Sequence, residues 1–204
     1  MNVARLQAGL AAAGYAVAAD GAFGPATLGA LMMYAAQRPT AVTLFGQLAP
    51  ATLAQFESYG IGDDLERIHW IAQGCHETER FQFFTELGGP TYFSAYDGRK
   101  DLGNTEPGDG YRYRGRGIFQ ITGRYNYQAF GAKLGLDLVD NPDLAADPAT
   151  AARIACEFWE QRDIGALARA DDIEGVTHKI NGGLNGLADR QAVTTRLKQI
   201  CGLA

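Results

Sequence analysis

A chain of 204 residues with 18 Lys and Arg against 23 Asp and Glu has a formal charge of −5, and 47% of it is apolar while 20% is charged. That balance excludes intrinsic disorder and supports one core of ordinary size, and no apolar stretch approaches the ~18 residues a membrane span needs. An acidic total also argues against nucleic acid as the main partner, because phosphate neutralisation needs a basic surface.

The first 60 residues are nearly neutral, with Arg5 and Arg38 against Asp20 and Glu57. Val3, Leu6 and Leu10 recur at helical spacing, so a helix over 3–13 is expected, ended by Gly14. The same stretch makes a poor secretory signal, because Gln7, Gly9, Gly14 and Tyr15 interrupt what should be an apolar run, and a cytoplasmic location at synthesis is expected. Asp20-Gly21 forms a turn, and Gly24-Pro25 opens a second helix through Leu28, Leu31 and Tyr34. Residues 1–40 thus read as a small helical segment and 45–204 as the main domain.

Beyond the Pro39-Thr40 break, helices are expected over 48–59 and 65–84, the second with Leu65, Ile68, Ile71, Ala72 and Cys75 on one face. Gly88-Gly89-Pro90 stops that element. From Gly88 to Gly131 the chain holds ten glycines in 44 residues, so this section reads as loop with a small hairpin at most. Helical patterns return over 125–134, 148–161, 172–179 and 187–201. The fold class is mainly α, with one long glycine-rich excursion, and a structureless excursion of that length marks the place to look for a site. Cys75, Cys156 and Cys201 are odd in number with no close pair, and read as buried reduced thiols.

Several chemistries lack their parts. The run His76-Glu77-Thr78-Glu79-Arg80 resembles a zinc helix, but the second ligand, four residues after His76, is replaced by Arg80, so no metal is expected. No Gly-x-Ser-x-Gly elbow occurs, Ser58 and Ser94 being the only serines, and no phosphate-cradling loop is present. What remains is a pair of carboxylates. Glu77 follows Gln73 and Trp70 on the flank of a buried helical face, where a carboxyl against aromatic surface is suited to deliver a proton. Glu86 comes nine residues later. In one straight helix the two would face opposite ways, about 13.5 Å apart along the axis, so the helix must end between them, near 81–85, if they cooperate. Inverting hydrolysis of a glycosidic bond needs two carboxylates about 6.5 to 9.5 Å apart, one protonated and one holding water.

Four motifs then fall in order: His76-Glu77-Thr78; Tyr113-Arg114-Gly115-Arg116-Gly117-x-x-Gln120-x-Thr122; Tyr125-Asn126-Tyr127; and Ile180-Asn181-Gly182-Gly183. Together they resemble the family 19 glycoside hydrolases over roughly 48–202, and within that family the compact phage-type endolysins. The resemblance implies a lysozyme-like (α+β) but mainly helical fold of two lobes, with the glycine-rich region lining the cleft, no cofactor, and single-displacement inversion. It implies Glu77 as proton donor, Glu86 as the second glutamate, and Thr122 as the hydroxyl that helps hold water where chitinases usually carry Ser. Gln120, Tyr125, Asn126 and Asn181 fall on positions lining the sugar cleft, and Arg190 on a basic residue near the carboxylates. Asn185 stands where plant enzymes carry an acid.

Leu6-Gln7, Gly14-Tyr15 and Asp20-Gly21-x-Phe23-Gly24-Pro25-x-Thr27 resemble part of a peptidoglycan-binding repeat. Six basic residues between Arg99 and Arg124 against Asp101, Glu106 and Asp109 suggest a basic cleft wall facing an anionic polymer. The expected activity is therefore an endolysin cutting β-1,4 bonds of peptidoglycan and lysing a host, monomeric, without stable membrane association, and dependent on a holin to reach the wall. A chitinase acting on N-acetylglucosamine polymers is the alternative, and an inactive wall-binding protein the alternative from another class.

Overall fold

The computed structural model describes residues 1–203 and consists of helices joined by turns. The long elements are α1 (Val3–Ala12), α2 (Pro25–Ala36), α3 (Val42–Ser58) and α4 (Asp64–Glu77), followed after a glycine-rich excursion by four more. The excursion itself holds only the single-turn helices α5 (Pro90–Phe93) and α6 (Asp109–Arg112) and 3-10 turns at Ser94–Tyr96 and Lys100–Leu102. Then come α7 (Arg124–Leu134), α8 (Pro148–Gln161), the short α9 (Gly165–Arg169), α10 (Ile173–Asn181) and α11 (Leu187–Cys201).

Local chemistry accounts for most boundaries. Asp63 caps α4 by accepting from the backbone N–H groups of Leu65 and Glu66, and Asp147 caps α8 through Thr150 with Pro148 in the first turn. α2 opens on Pro25 and ends on a left-handed Gln37, and α11 ends on the left-handed Gly202. α3 begins six residues earlier than expected, at Val42, so that Pro50 lies inside it and leaves the Gly46 carbonyl without its helical donor. Among the described residues there is no hairpin strand. The pairing is confined to two isolated antiparallel bridges, Thr85 with Arg116 and Arg116 with Ile121.

α4 runs through the middle, burying Ile68, Trp70, Ile71, Ala72 and Cys75, with α11, α9, α2 and α10 against it and α3 joined to both α2 and α8. Leu6, Leu10, Leu28 and Leu31 of the first two helices belong to the same buried apolar cluster as Trp70 and Leu197. The N-terminal motif residues converge on buried Gln7. Its amide donates to Asp20 Oδ1 at 2.7 Å, Ala22 O at 3.0 Å and Thr27 Oγ1 at 2.9 Å, and its oxygen accepts the Gly21 N–H at 2.8 Å. All three cysteines are buried and free of disulfides.

The helix expected over 65–84 ends at Glu77 instead, with no glycine or proline to stop it. Glu79, Arg80 and Phe81 take φ of 47°, 66° and 56° in succession. Left-handed backbone costs an L-residue of this kind about 1–2 kcal/mol each, so the surroundings must impose it. Thr78 does part of this: its Oγ1 donates to Gly74 O and accepts the Phe81 N–H at 2.9 Å, while its carbonyl accepts from the N–H groups of Gln82 and Phe83. Phe81 is fully buried and meets Phe45 of α3 edge-on at 5.4 Å.

Candidate active site

The left-handed turn separates the two glutamates. Glu77 rides the last turn of α4, and the chain past Phe83 reverses to lie beside 115–117. There the Glu86 N–H donates to Gly115 O at 2.8 Å and the Gly117 N–H to Phe84 O at 2.9 Å. The Gly115 N–H in turn donates to Glu86 Oε2 at 3.1 Å, so this carboxylate is fixed by the backbone of the 115–117 segment.

Gln120 also has left-handed backbone, with φ of 50°, and its amide donates to Gly117 O at 2.6 Å. Strain of this kind gathers at functional sites when the surroundings over-determine it. Thr122 Oγ1 donates to Gln120 O at 3.1 Å, and the Asn126 amide to Thr122 O at 2.7 Å. Gly115 shows how close these groups lie: a Cβ there would sit 2.8 Å from Gln120 Oε1 and 3.0 Å from Glu86 Oε2. Glu77, Glu86, Gln120 and Thr122 all line one cleft of about 570 Å³, together with Phe83, Leu87, Tyr92 and Tyr96.

Behind Glu77 stands Arg190, buried although charged. Its guanidinium donates to Glu77 Oε1 and Gln73 Oε1, and its Nε to Asn185 O at 3.2 Å. Gln73 passes the linkage to Thr177 Oγ1 on α10. Trp70, about two helical turns back from Glu77, packs inward against Phe56 and Phe119, and the aromatic residues that share the cleft lining with Glu77 are Phe83, Tyr92 and Tyr96. Beside this group, Asp189 accepts from His76 Nδ1 at 2.7 Å and from Arg80. Burial alone would raise the Asp189 carboxyl, but His76 and Arg80 outweigh it and hold the carboxyl below its usual range. Gly186, at φ of 71°, lies so close to His76 that a Cβ would approach Nε2 to 2.1 Å, which ties the start of α11 to the end of α4.

The remaining sequence candidates, Tyr125, Asn126 and Asn181, are not among the residues that line this cleft. Asn126 spends its amide on Thr122, and Asn181 spends its side chain on its own loop, donating to Asn185 O at 3.0 Å and accepting the Gly183 N–H. Tyr125 is 65% exposed and packs over Gly103. The sequence reasoning placed Gln73 beside Glu77 without seeing its link to Arg190; the four-residue spacing on one helix face was the signal. It missed Asp189 and the rim formed by Phe83, Leu87 and Tyr92.

The basic wall expected over 99–124 is largely neutralised. Arg99 pairs with Asp101, Arg124 with Asp109, Arg112 with Asp140, and buried Arg116 with Asp143. Arg114 donates to Tyr111 O and lies 4.2 Å over its ring. Asp140 and Asp143 come from beyond 99–124, and with them the local excess falls from three positive charges to one. No group of three or more His, Cys, Asp or Glu that could hold a metal occurs among the described residues.

A family model described as chitinase class I matches residues 66–193. A Haemophilus influenzae protein described as glycosyl hydrolase family 19 domain-containing is 32% identical over 168 residues, 69% of this chain and 82% of that one. Acidic endochitinase Q of Nicotiana tabacum is 34% identical over 183 residues, 75% of this chain and 68% of that one. The match spans half or less of some other plant chitinases. Chitinase C from Streptomyces griseus superposes with a TM-score of 0.72 at 22% identity, covering 89% of this chain and 95% of that one, a likeness of fold.

Proposed function

Because the chain belongs to glycoside hydrolase family 19, the chitinase class I family, and is thus a glycoside hydrolase, we propose that it cleaves the β-1,4 bonds of peptidoglycan in one inverting displacement. The observation that carries the chemistry is the cleft shared by Glu77 and Glu86, with Gln120 and Thr122 in the same lining. Arg190 engages Glu77 Oε1, which leaves Oε2 to give its proton to the departing glycosidic oxygen. The same guanidinium is in place to compensate the charge that remains on Glu77 afterwards.

On the other wall, Gly115 occupies Glu86 Oε2 and leaves Oε1 open. The Thr122 hydroxyl donates to Gln120 O, so its lone pairs are free to accept. A water that gives one hydrogen to Glu86 Oε1 and the other to Thr122 Oγ1 directs its own lone pair at the anomeric carbon. As the C–O bond breaks, the water's proton passes to Glu86, and solvent exchange restores both carboxyls. Exposed Leu87 and Tyr92 on the rim offer apolar faces to sugar rings.

Peptidoglycan as the glycan is supported by the N-terminal resemblance, carried by Leu6-Gln7, Gly14-Tyr15 and Asp20-Gly21-x-Phe23-Gly24-Pro25-x-Thr27. The biological role in this reading is that of an endolysin, with a holin-type lesion giving access to the wall. The second reading, chitin, is favoured by the relatives named endochitinases. Purified sacculi and colloidal chitin, offered side by side, test the choice. Proton NMR of fresh products tests the displacement, since inversion at a β bond must yield the α-anomer first. Initial β product would overturn the roles given to Glu77 and Glu86; release from chitin alone would overturn the peptidoglycan reading.

A further inference from the structure

The turn that separates Glu77 from Glu86 is held from outside the family match, which begins at residue 66. Arg38 lies in the link between α2 and α3, just after the left-handed Gln37. Its Nη1 donates to Arg80 O at 3.1 Å and to Phe81 O at 2.9 Å. These are two of the turn's three successive residues with positive φ, Glu79, Arg80 and Phe81. The N–H groups of the same turn point the other way, Arg80 donating to Cys75 O at 2.7 Å and Phe81 to Thr78 Oγ1. The turn therefore has internal partners for its donors, while Arg38 supplies the donor for two of its carbonyls. Phe45 adds a second hold on Phe81 from α3, and Asp189 a third on the Arg80 side chain.

We propose that Arg38 is a positioning residue for hydrolysis: it holds the left-handed turn at 79–81 and so fixes the separation of Glu77 and Glu86 across the cleft. The inference rests on reading those glutamates as acid and base. It gives the N-terminal section a part in turnover that is distinct from any adsorption to a wall. The consequence is specific. Loosening this turn changes where Glu86 stands relative to Glu77, and near-attack geometry is sensitive to shifts of this size, whereas the sugar rings still meet the same rim.

The test compares wild type, Arg38→Ala and Arg38→Lys on a soluble β-1,4-linked N-acetylglucosamine oligosaccharide. Arg38→Ala should lower kcat about tenfold or more with KM within about twofold. Guanidinium chloride at tens of millimolar should restore part of that kcat, and should restore nothing to Glu77→Gln. Arg38→Lys, which keeps a charged donor, should fall between the two. Hydrogen exchange read on peptides spanning 78–86 should quicken in Arg38→Ala, while peptides from α8 and α11 stay as in wild type.

If Arg38→Ala proves too unstable to assay, Arg38→Lys carries the same comparison. A kcat within about twofold of wild type in the alanine variant, or unchanged exchange over 78–86, overturns the proposal. So does a loss that guanidinium leaves untouched. A wild type inactive on every glycan overturns the functional reading instead, and the exchange comparison still judges the clamp.

Discussion

Gly115→Ala perturbs the proposed water-holding wall without touching backbone freedom, since Gly115 is not among the positive-φ glycines. The added methyl would meet Gln120 Oε1 at 2.8 Å and Glu86 Oε2 at 3.0 Å, where ordinary contact begins at 3.4 Å. One or both oxygens must therefore retreat by about 0.5 Å, a displacement for which half of a hundredfold effect on a logarithmic scale, about tenfold in kcat, is the expected order. Tenfold corresponds to about 1.4 kcal/mol in the barrier. Neither oxygen can retreat freely, because the Gln120 amide is tied to Gly117 O and Glu86 Oε2 to the very N–H of residue 115. Steady-state rates on a soluble oligosaccharide, with a thermal melt on the same sample, provide the assay. A variant that melts like wild type and turns over like wild type would refute the claim that Glu86 and Gln120 must hold their present places.

Glu77→Gln keeps the shape of the proton donor but removes its proton, so kcat should fall by about 10²-fold or more with circular dichroism unchanged. Glu86→Gln combined with Thr122→Val should cost less in barrier height than the two single losses added, because both groups are assigned to one water; strict additivity would separate them. A pH effect on stability follows from Asp109, whose buried carboxyl would be raised by burial but is held below its usual range by Arg124 and the N–H groups of Glu106 and Thr105. A depressed carboxyl contributes stability above its unfolded value of about 3.9 and loses it as the pH falls below that. Denaturation curves of wild type and Asp109→Asn should thus differ by about 2 kcal/mol at neutral pH and converge below about pH 4.

Where signals are local, the sequence was legible. Asp147-Pro148 opens α8 and Gly202 closes α11 by chemistry confined to a few residues, and both helices run over the residues the pattern marks. The end of α4 was illegible for the opposite reason. Glu79, Arg80 and Phe81 carry no turn signature, and their backbone is set by Arg38, Phe45 and Asp189, each distant in sequence. The requirement that a helix end lie between Glu77 and Glu86 could be reasoned from geometry, but not its left-handed form. Motif spacing brought out Glu77, Glu86, Gln120 and Thr122, which the fold gathers in one cleft. Charge counting over 99–124 was incomplete, because a linear window cannot include Asp140 and Asp143, which the fold returns to Arg112 and Arg116.

The N-terminal motif calls for a prediction of its own, because the residues that carry its resemblance face one another. Gln7 is 1% exposed and serves Asp20, Ala22, Thr27 and Gly21 at once. Such a hub fixes the turn that lets α2 fold back beside α1, and its side-chain amide has little surface left for a ligand. Gln7→Ala should therefore lower stability by about 2 kcal/mol, the scale for removing a buried multiple hydrogen bonder, and leave adsorption of the folded protein to sacculi unchanged. A binding isotherm measured well below the melting temperature separates the two effects. If the isotherm weakens while the melt stays in place, Gln7 meets the wall directly, and its hydrogen bonds in the free protein are those of an empty binding site.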